Sequence, residues 1–171
     1  MANSRSQIIV PIALVVGAVL GMAGTFVPSP ALRGLAWGVD GTALVLAGAL
    51  LTIHHLRRGN DLVAAGFLVF LAGETLVLSG AAMDLAVAAP SFAAGSALWA
   101  ASLVLVSAPR VMPAWVRGVG LIAALLFTAV AWQGFAGGGL TALSRPLPFF
   151  AYPFLAATLF GWAWAHYRKV V

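Results

Sequence analysis

Two carboxyl side chains, Asp40 and Glu74, lie inside long apolar runs of the sequence. An acidic residue in such a run is costly to place in a membrane, and it usually binds a proton or a cation or pairs with another group. Both residues are equally far along the chain from residue 57, which lies in a short polar turn. On antiparallel helices joined by that turn they reach the same depth, about 20 Å from the near boundary. Whether the two carboxyls meet depends on how the helices are rotated.

The chemistry of such a pair depends on its neighbours. Two ionised carboxylates cannot share a dry site cheaply, so one of them should stay protonated unless a cation, Arg33 or Arg145 reaches it. The functional hypothesis is a proton- or cation-binding site that opens to the outer side of the membrane. The alternative is structural: Glu74 forms a hydrogen bond between helices, and Asp40 lies near the wet outer end of its helix.

The other polar residues give weaker indications. His54 and His55 are adjacent, so on a helix they point about 100° apart and do not both face one ion. Together with His166 they are explained more simply by lipid headgroups than by a metal or haem, and we predict no metal site and no cofactor. Asp61 is expected in the turn or as a helix cap, and Asp84 in a wet loop. The chain has no cysteine, and no common nucleotide-binding or hydrolase motif occurs in it.

The composition indicates a chain that lies almost wholly in a lipid bilayer. Of its 171 residues, 63% are hydrophobic and 8% are charged, whereas roughly a quarter are charged in soluble proteins. The mean hydropathy is +1.05. The net charge of +5 comes from basic residues in short gaps between apolar runs, which is typical of contacts with lipid headgroups and not of a nucleic-acid surface.

The apolar runs are long enough to be membrane-spanning helices, and none alternates with the period of a membrane β-strand. We therefore predict an all-α, polytopic transmembrane bundle that forms a single domain over residues 1–171. The first run is expected to be retained, not cleaved as a signal peptide. Pro90 is expected to precede the fourth helix, with Ser91 as its N-cap. The six predicted helices are at about 8–27, 35–53, 62–83, 92–106, 115–132 and 149–165.

The basic residues predict the orientation. The termini and loops predicted on one side of the membrane carry seven Lys and Arg, and those on the other side carry two. Both termini are therefore expected in the cytoplasm. The protein is expected to be a multi-pass protein of the inner membrane. The positions of the aromatic residues predict two interfacial belts, which only Trp99 does not fit. The inner belt is Trp115, Trp162, Trp164 and Tyr167, and the outer belt is Trp37, Trp132 and Tyr152.

Glycines recur at spacings that put them on one helix face. Small residues let helix backbones approach closely, which is a main cause of helix association in lipid. Gly66, Gly73 and Gly80 are seven residues apart, and this row is expected to contact the first or second helix. A second row on the first helix is expected to help pack a tight bundle of the first three helices. This second row is Gly17, Gly21 and Gly24.

The sequence favours no single activity. Six short, mostly apolar helices leave little material for a pore, so we expect an accessory or scaffold component of a larger membrane complex, or a homo-oligomer, with the lipid bilayer as its surroundings. The alternative is a transporter or channel-like protein with a proton- or cation-binding site at Asp40 and Glu74. A membrane enzyme is less favoured because no catalytic motif is present.

Overall fold

The computed structural model describes the backbone of residues 3–168 and the side chains of residues 8–168. All regular structure in that range is α-helical, which confirms the predicted all-α fold with six helices. The side chain of Arg5 and all of Lys169, two of the charges used to predict the orientation, lie outside the described residues. The helices are α1 Asn3–Phe26, α2 Pro30–Leu56, α3 Asp61–Ser79, α4 Leu85–Ser107, α5 Ala114–Phe135 and α6 Tyr152–Tyr167.

The first five helices are long and apolar enough to cross a bilayer, which indicates a multi-pass membrane protein. Helix α6 has 16 residues and is about 24 Å long, shorter than a hydrocarbon core of about 30 Å. The residues just before it form consecutive hydrogen-bonded turns, in which the Phe150 N–H donates to the Pro146 carbonyl at 3.1 Å. We therefore expect any sixth crossing to combine α6 with these turns.

Helix α2 begins at Pro30, five residues before the predicted start at residue 35. The hydroxyl of Ser29 accepts a hydrogen bond from the Leu32 N–H at 3.5 Å, which satisfies one of the free donors of the first turn. Proline suits the first helical position because its fixed φ angle is already helical and no N–H is needed there. The Pro28-Ser29-Pro30 segment therefore both ends α1 and begins α2.

Helix α4 also begins earlier than predicted, at Leu85 and not at residue 92. Its N-cap is Asp84, whose carboxylate accepts a hydrogen bond from the Ala86 N–H at 2.9 Å. The prediction that Ser91 caps this helix is wrong, because Pro90 lies inside α4. A proline removes one backbone hydrogen bond, and membrane helices tolerate this where neighbouring helices support the backbone.

The six helices pack in chain order and close into a ring. The backbone of each helix lies against that of the next helix along the chain and α6 lies against α1, and within residues 3–168 no other pair of helix backbones approaches as closely. Neighbouring helices run antiparallel, as the short connections require. One end of the ring, the Asp84 end, is formed by residues 27–29, 80–84 and 136–151. The opposite end, the His55 end, is formed by residues 57–60, 108–113 and the end of α6.

The glycine row of α3 packs against α4, so the prediction that it contacts the first or second helix is wrong. A Cβ atom on Gly73 would lie 2.9 Å from the Cβ of Leu98 and 3.0 Å from the Gly95 carbonyl oxygen. A Cβ on Gly66 would meet Val106 at 2.7 Å. The row faces α4 because α4 follows α3 in the ring, whereas α2 occupies the other side of α3. Gly80, the C-cap of α3, packs against Ala88 of α4.

The glycine row of α1 packs against α2. A Cβ on Gly17 would collide with Leu44, one on Gly24 would collide with Trp37, and one on Gly21 would meet the carboxyl of Asp40. The contacts between α2 and α3 use different glycines, since Gly41 and Gly48 of α2 face Leu78 and Leu71 of α3. Rows of glycine thus allow close approach at three successive pairs of helices.

Replacing Gly73 with alanine is expected to destabilise the protein by about 1–3 kcal/mol. The added methyl group meets backbone and Cβ atoms of α4 that cannot move without separating the two helices. The matched control is Gly38→Ala in α2, where a Cβ would meet nothing within 4 Å and where alanine favours a helix by about 0.5–1 kcal/mol. Unfolding in mixed micelles measures both, and equal stability of the two variants would show that the α3–α4 contact is loose.

Candidate functional site

Asp40 of α2 and Glu74 of α3 line the same cavity. Neighbouring antiparallel helices place them at a similar depth, and both residues contribute to the wall of this cavity. Oε1 of Glu74 lies 3.3 Å from the Cβ position at Gly41, the residue next to Asp40. The carboxyl of Asp40 lies close enough to that of Glu74 for the two to repel each other when both are ionised. The structure therefore brings together the two acids that the sequence singles out.

The carboxyl of Asp40 rests against the glycine row of α1. Its Oδ2 atom lies 2.8 Å from the Cβ position at Gly21, and its Oδ1 atom lies 3.2 Å from that at Gly17. Beside it, the indole N–H of Trp37 donates to the carbonyl of Gly21 at 3.3 Å, which ties α2 to α1. The glycines thus provide the space that this carboxyl occupies, and Oδ1 is buried with no hydrogen-bond partner among the described residues.

Glu74 is more deeply buried, with only 2% of its surface exposed. Its Oε2 atom has no hydrogen-bond partner in the described part of the chain. The indole of Trp99 in α4 lies beside this carboxyl, but its N–H makes no hydrogen bond of acceptable geometry. An unpaired polar atom in such a place costs about 1–3 kcal/mol. Trp99 is therefore the candidate donor for the hydrogen bond across helices that the structural interpretation predicts for Glu74.

The cavity between these acids is bounded mainly by apolar side chains. Its empty space is about 830 Å³ when the open mouth is included. Helices α1, α2, α3, α4 and α6 all contribute to its wall. It reaches the Asp84 end of the ring, where Gly80, Ala81 and Ala142 line it. Among the described residues of the wall, Asp40 and Glu74 are acidic and none is basic.

The two arginines that were candidate charge partners lie elsewhere. The guanidinium of Arg33 lies 5.7 Å from the centre of the Trp37 ring. That of Arg145 lies 4.2 Å from the centre of the Phe149 ring. Both are cation–π contacts, in which the face of an aromatic ring attracts the charge. Neither arginine lines the cavity, so in this conformation neither of them neutralises the two carboxyls.

None of the four aromatic residues that line the cavity was predicted as part of the site, and two of them, Trp99 and Tyr152, have well-defined contacts. Trp99 is buried and meets Phe127 edge to face, with ring centres 5.2 Å apart. Tyr152, a member of the predicted outer belt, lines the cavity and donates its hydroxyl proton to the Ala142 carbonyl at 2.8 Å. Only Trp99 gave a signal in the sequence, because it fitted neither interfacial belt. A tryptophan in the middle of an apolar helix is more often buried beside a polar partner than exposed to lipid.

The three histidines meet at the His55 end, away from the acidic cavity. The ring centres of His54 and His55 are 5.1 Å apart, and those of His54 and His166 are 4.7 Å apart. The ring of His55 is fully buried and stacks on Phe67 at 5.4 Å. No group of three His, Cys, Asp or Glu side chains within the described residues is arranged to hold a metal ion. The geometry of this cluster is that of aromatic packing between α2, α3 and α6.

Comparison with known proteins adds no assignment to this geometry. No protein-family model, no curated protein and no solved structure matches the chain. The cavity and the two acids that line it are therefore the basis for assigning a function.

Proposed function

We propose that this chain is a proton-coupled membrane transport protein whose carboxyl pair, Asp40 and Glu74, binds and releases protons. The observation that carries the proposal is the buried carboxyl of Glu74, which has an unpaired oxygen and lines a cavity that reaches one end of the helix ring. Ionisable groups inside a membrane protein are costly and usually lie on a substrate or proton path. A carboxyl pair with no basic neighbour among the described residues is suited to this task, because it can be neutralised by protons or by a cation from outside.

The cavity favours a proton over a bare metal ion as the coupling species. A hard cation such as Ca²⁺ takes about six to eight oxygen ligands. Within the part of the chain that the structure describes, the acidic oxygens of the wall come from Asp40 and Glu74, and the rest of the wall is mainly apolar. Proton binding needs no such shell, since a single carboxyl oxygen holds the proton. The pair is therefore better suited to proton exchange with water at the Asp84 end.

Infrared spectroscopy of the purified protein tests the proton site directly. We expect a protonated-carboxyl band that disappears when the buffer is made alkaline and that is reduced in both Glu74→Gln and Asp40→Asn. Asp61→Asn is the matched control, because Asp61 is exposed in the first turn of α3, and it should leave the band unchanged. A band that persists at full strength in both variants would refute a proton site at this pair.

A gentle-detergent pull-down of the tagged chain separates transport from the accessory or scaffold role that the sequence favours. A lone chain or homo-oligomer supports transport, and a stoichiometric larger partner supports the accessory role.

A growth assay tests the role of the carboxyl pair in the cell. Cells that carry the double variant Asp40→Asn with Glu74→Gln should lose the pH-dependent growth that the unmodified chain supports, while the variant protein still folds. Unchanged growth would show that the carboxyl pair has no role in the cell.

We propose further that both termini face the cytoplasm of the inner membrane, with the Asp84 end outside. The observed helix boundaries define where reporters should be fused. Fusions after Pro28, Met83 and Gly138, which lie in the connections of that end, are expected to be active for a reporter that works only in the periplasm. A fusion after Gly59, between α2 and α3, should be silent. The reverse pattern of reporter activity would show that the protein has the opposite orientation in the membrane.

A further inference from the structure

The carboxyl pair and the aromatic wall of the cavity together suggest a particular kind of ligand. We infer that the cavity binds a lipophilic organic cation, in which a positive charge lies among aromatic or alkyl groups, in exchange for a proton from Asp40 or Glu74. This inference rests on the proposed proton site and adds the chemical class of the ligand.

The charge of the cavity selects the sign of the ligand. Asp40 and Glu74 line it, no basic side chain does among the described residues, and Arg33 and Arg145 are held over aromatic rings. When either acid gives up its proton, the negative charge left behind is buried with few hydrogen-bond donors near it, which is strongly unfavourable. A cation that takes the place of the proton removes this penalty, whereas an anion adds to it.

The wall of the cavity selects the body of the ligand. The rings of Trp37, Phe92, Trp99 and Tyr152 line it, together with aliphatic side chains such as Leu44. Aromatic faces attract a cation, and the attraction is stronger when water is excluded. The same walls cannot replace the hydration shell of a metal ion or a small ammonium ion. An organic cation whose charge is distributed over a large apolar surface is weakly hydrated, so it loses little hydration free energy when it enters the cavity.

The cavity extends from the two carboxyls to one end of the helix ring. The glycine faces of α1 help to form the volume, since Gly17 and Gly21 lie on the wall next to Asp40. Entry is from the Asp84 end, beside Gly80 and Ala142.

The exchange balances charge without a covalent step. One monovalent cation enters and one carboxyl proton leaves to water, so the net charge of the cavity is unchanged. Binding should therefore weaken as the solution becomes more acidic, because protons compete for the same carboxyl. With one proton released for each cation, the apparent affinity falls by up to about tenfold for each unit of falling pH where the carboxyl is protonated.

Calorimetry with tetraphenylphosphonium as the probe tests this inference on the full-length protein in detergent. We expect saturable binding that weakens in acid, with about one proton released per cation, measured by repeating the titration in buffers of different ionisation heat. Tetraphenylborate is the control ligand, since it has the same shape and the opposite charge, and it should not bind. Glu74→Gln should weaken binding at least tenfold, and Asp61→Asn should leave it unchanged.

The outcomes distinguish the ligand from the proton site. A carboxyl band that titrates in the infrared, without binding of tetraphenylphosphonium, would refute the ligand class and leave the proposed function standing. Loss of both signals would refute both. Equal binding of the cation and of tetraphenylborate, unaffected by pH, would show partition into detergent or apolar surface and would also refute the inference. The pH and charge comparisons use the unmodified chain, so the test holds even if Glu74→Gln does not fold.

Discussion

Replacing Trp162 with alanine is expected to destabilise the protein by about 3–5 kcal/mol. Trp162 is 1% exposed. Its ring meets Phe67 and Phe70 of α3 edge to face, with ring centres 4.8 Å and 5.5 Å away. Truncation leaves a void between α3 and α6, and lipid cannot reach the site to restore the dispersion attraction that the indole ring provides.

The matched control is Trp132→Ala, because Trp132 is 75% exposed and lies on the outside of α5. Its loss should change the stability of the folded protein by less than about 1 kcal/mol. Thermal denaturation in a mild detergent, followed by the loss of helical circular dichroism, measures both variants. Equal melting temperatures for the two would mean that Trp162 faces lipid, as its predicted place in the inner aromatic belt implies.

Replacing Glu74 with methionine is expected to act in the opposite direction and raise the stability by about 1–3 kcal/mol. Methionine keeps the shape and length of the side chain but removes the oxygen that is buried without a partner among the described residues. Similar replacements of buried charged groups by apolar residues often stabilise proteins, at the expense of function. The same variant should lose proton binding and the binding of tetraphenylphosphonium.

Glu74→Gln is the informative comparison for this stabilising effect. The amide cannot ionise, yet it still places a polar group in the apolar cavity, so its stability should lie between those of the unmodified chain and Glu74→Met. Thermal melts at neutral pH rank the three proteins. A melting temperature of Glu74→Met below that of the unmodified chain would mean that the carboxyl has a favourable partner. Burial of Glu74 would then carry no free-energy cost, and the proposed function would lose that support.

The class of the fold and the depth of the two acids could be predicted before any helix was placed beside another. Composition and the length of the apolar runs were enough to predict six helices. The equal distance of Asp40 and Glu74 from the α2–α3 turn was enough to place them at one level. Both results depend on local quantities, the length of an apolar run and the fixed rise of a helix, and neither needs knowledge of which helices are neighbours.

Caps and prolines were less predictable, although they are local features too. Ser91 looked like a helix cap because it follows Pro90, yet Asp84 begins α4 and the proline lies inside it. A proline in a membrane helix costs one hydrogen bond, while a broken helix in lipid leaves several backbone groups unpaired. The surroundings therefore favoured a continuous helix over the break that the same residues would indicate in a soluble protein.

Only the tertiary structure shows how each helix is rotated about its axis and which helices it packs against. Gly73 contacts α4 and not an earlier helix, Trp162 points inward while Trp132 points outward, and Trp99 joins Glu74 at a cavity wall. In a soluble helix, the contrast between polar and apolar faces would have revealed these rotations. Here lipid and protein interior are equally apolar, so rotation leaves almost no trace in the sequence. Close packing around the ring sets it instead.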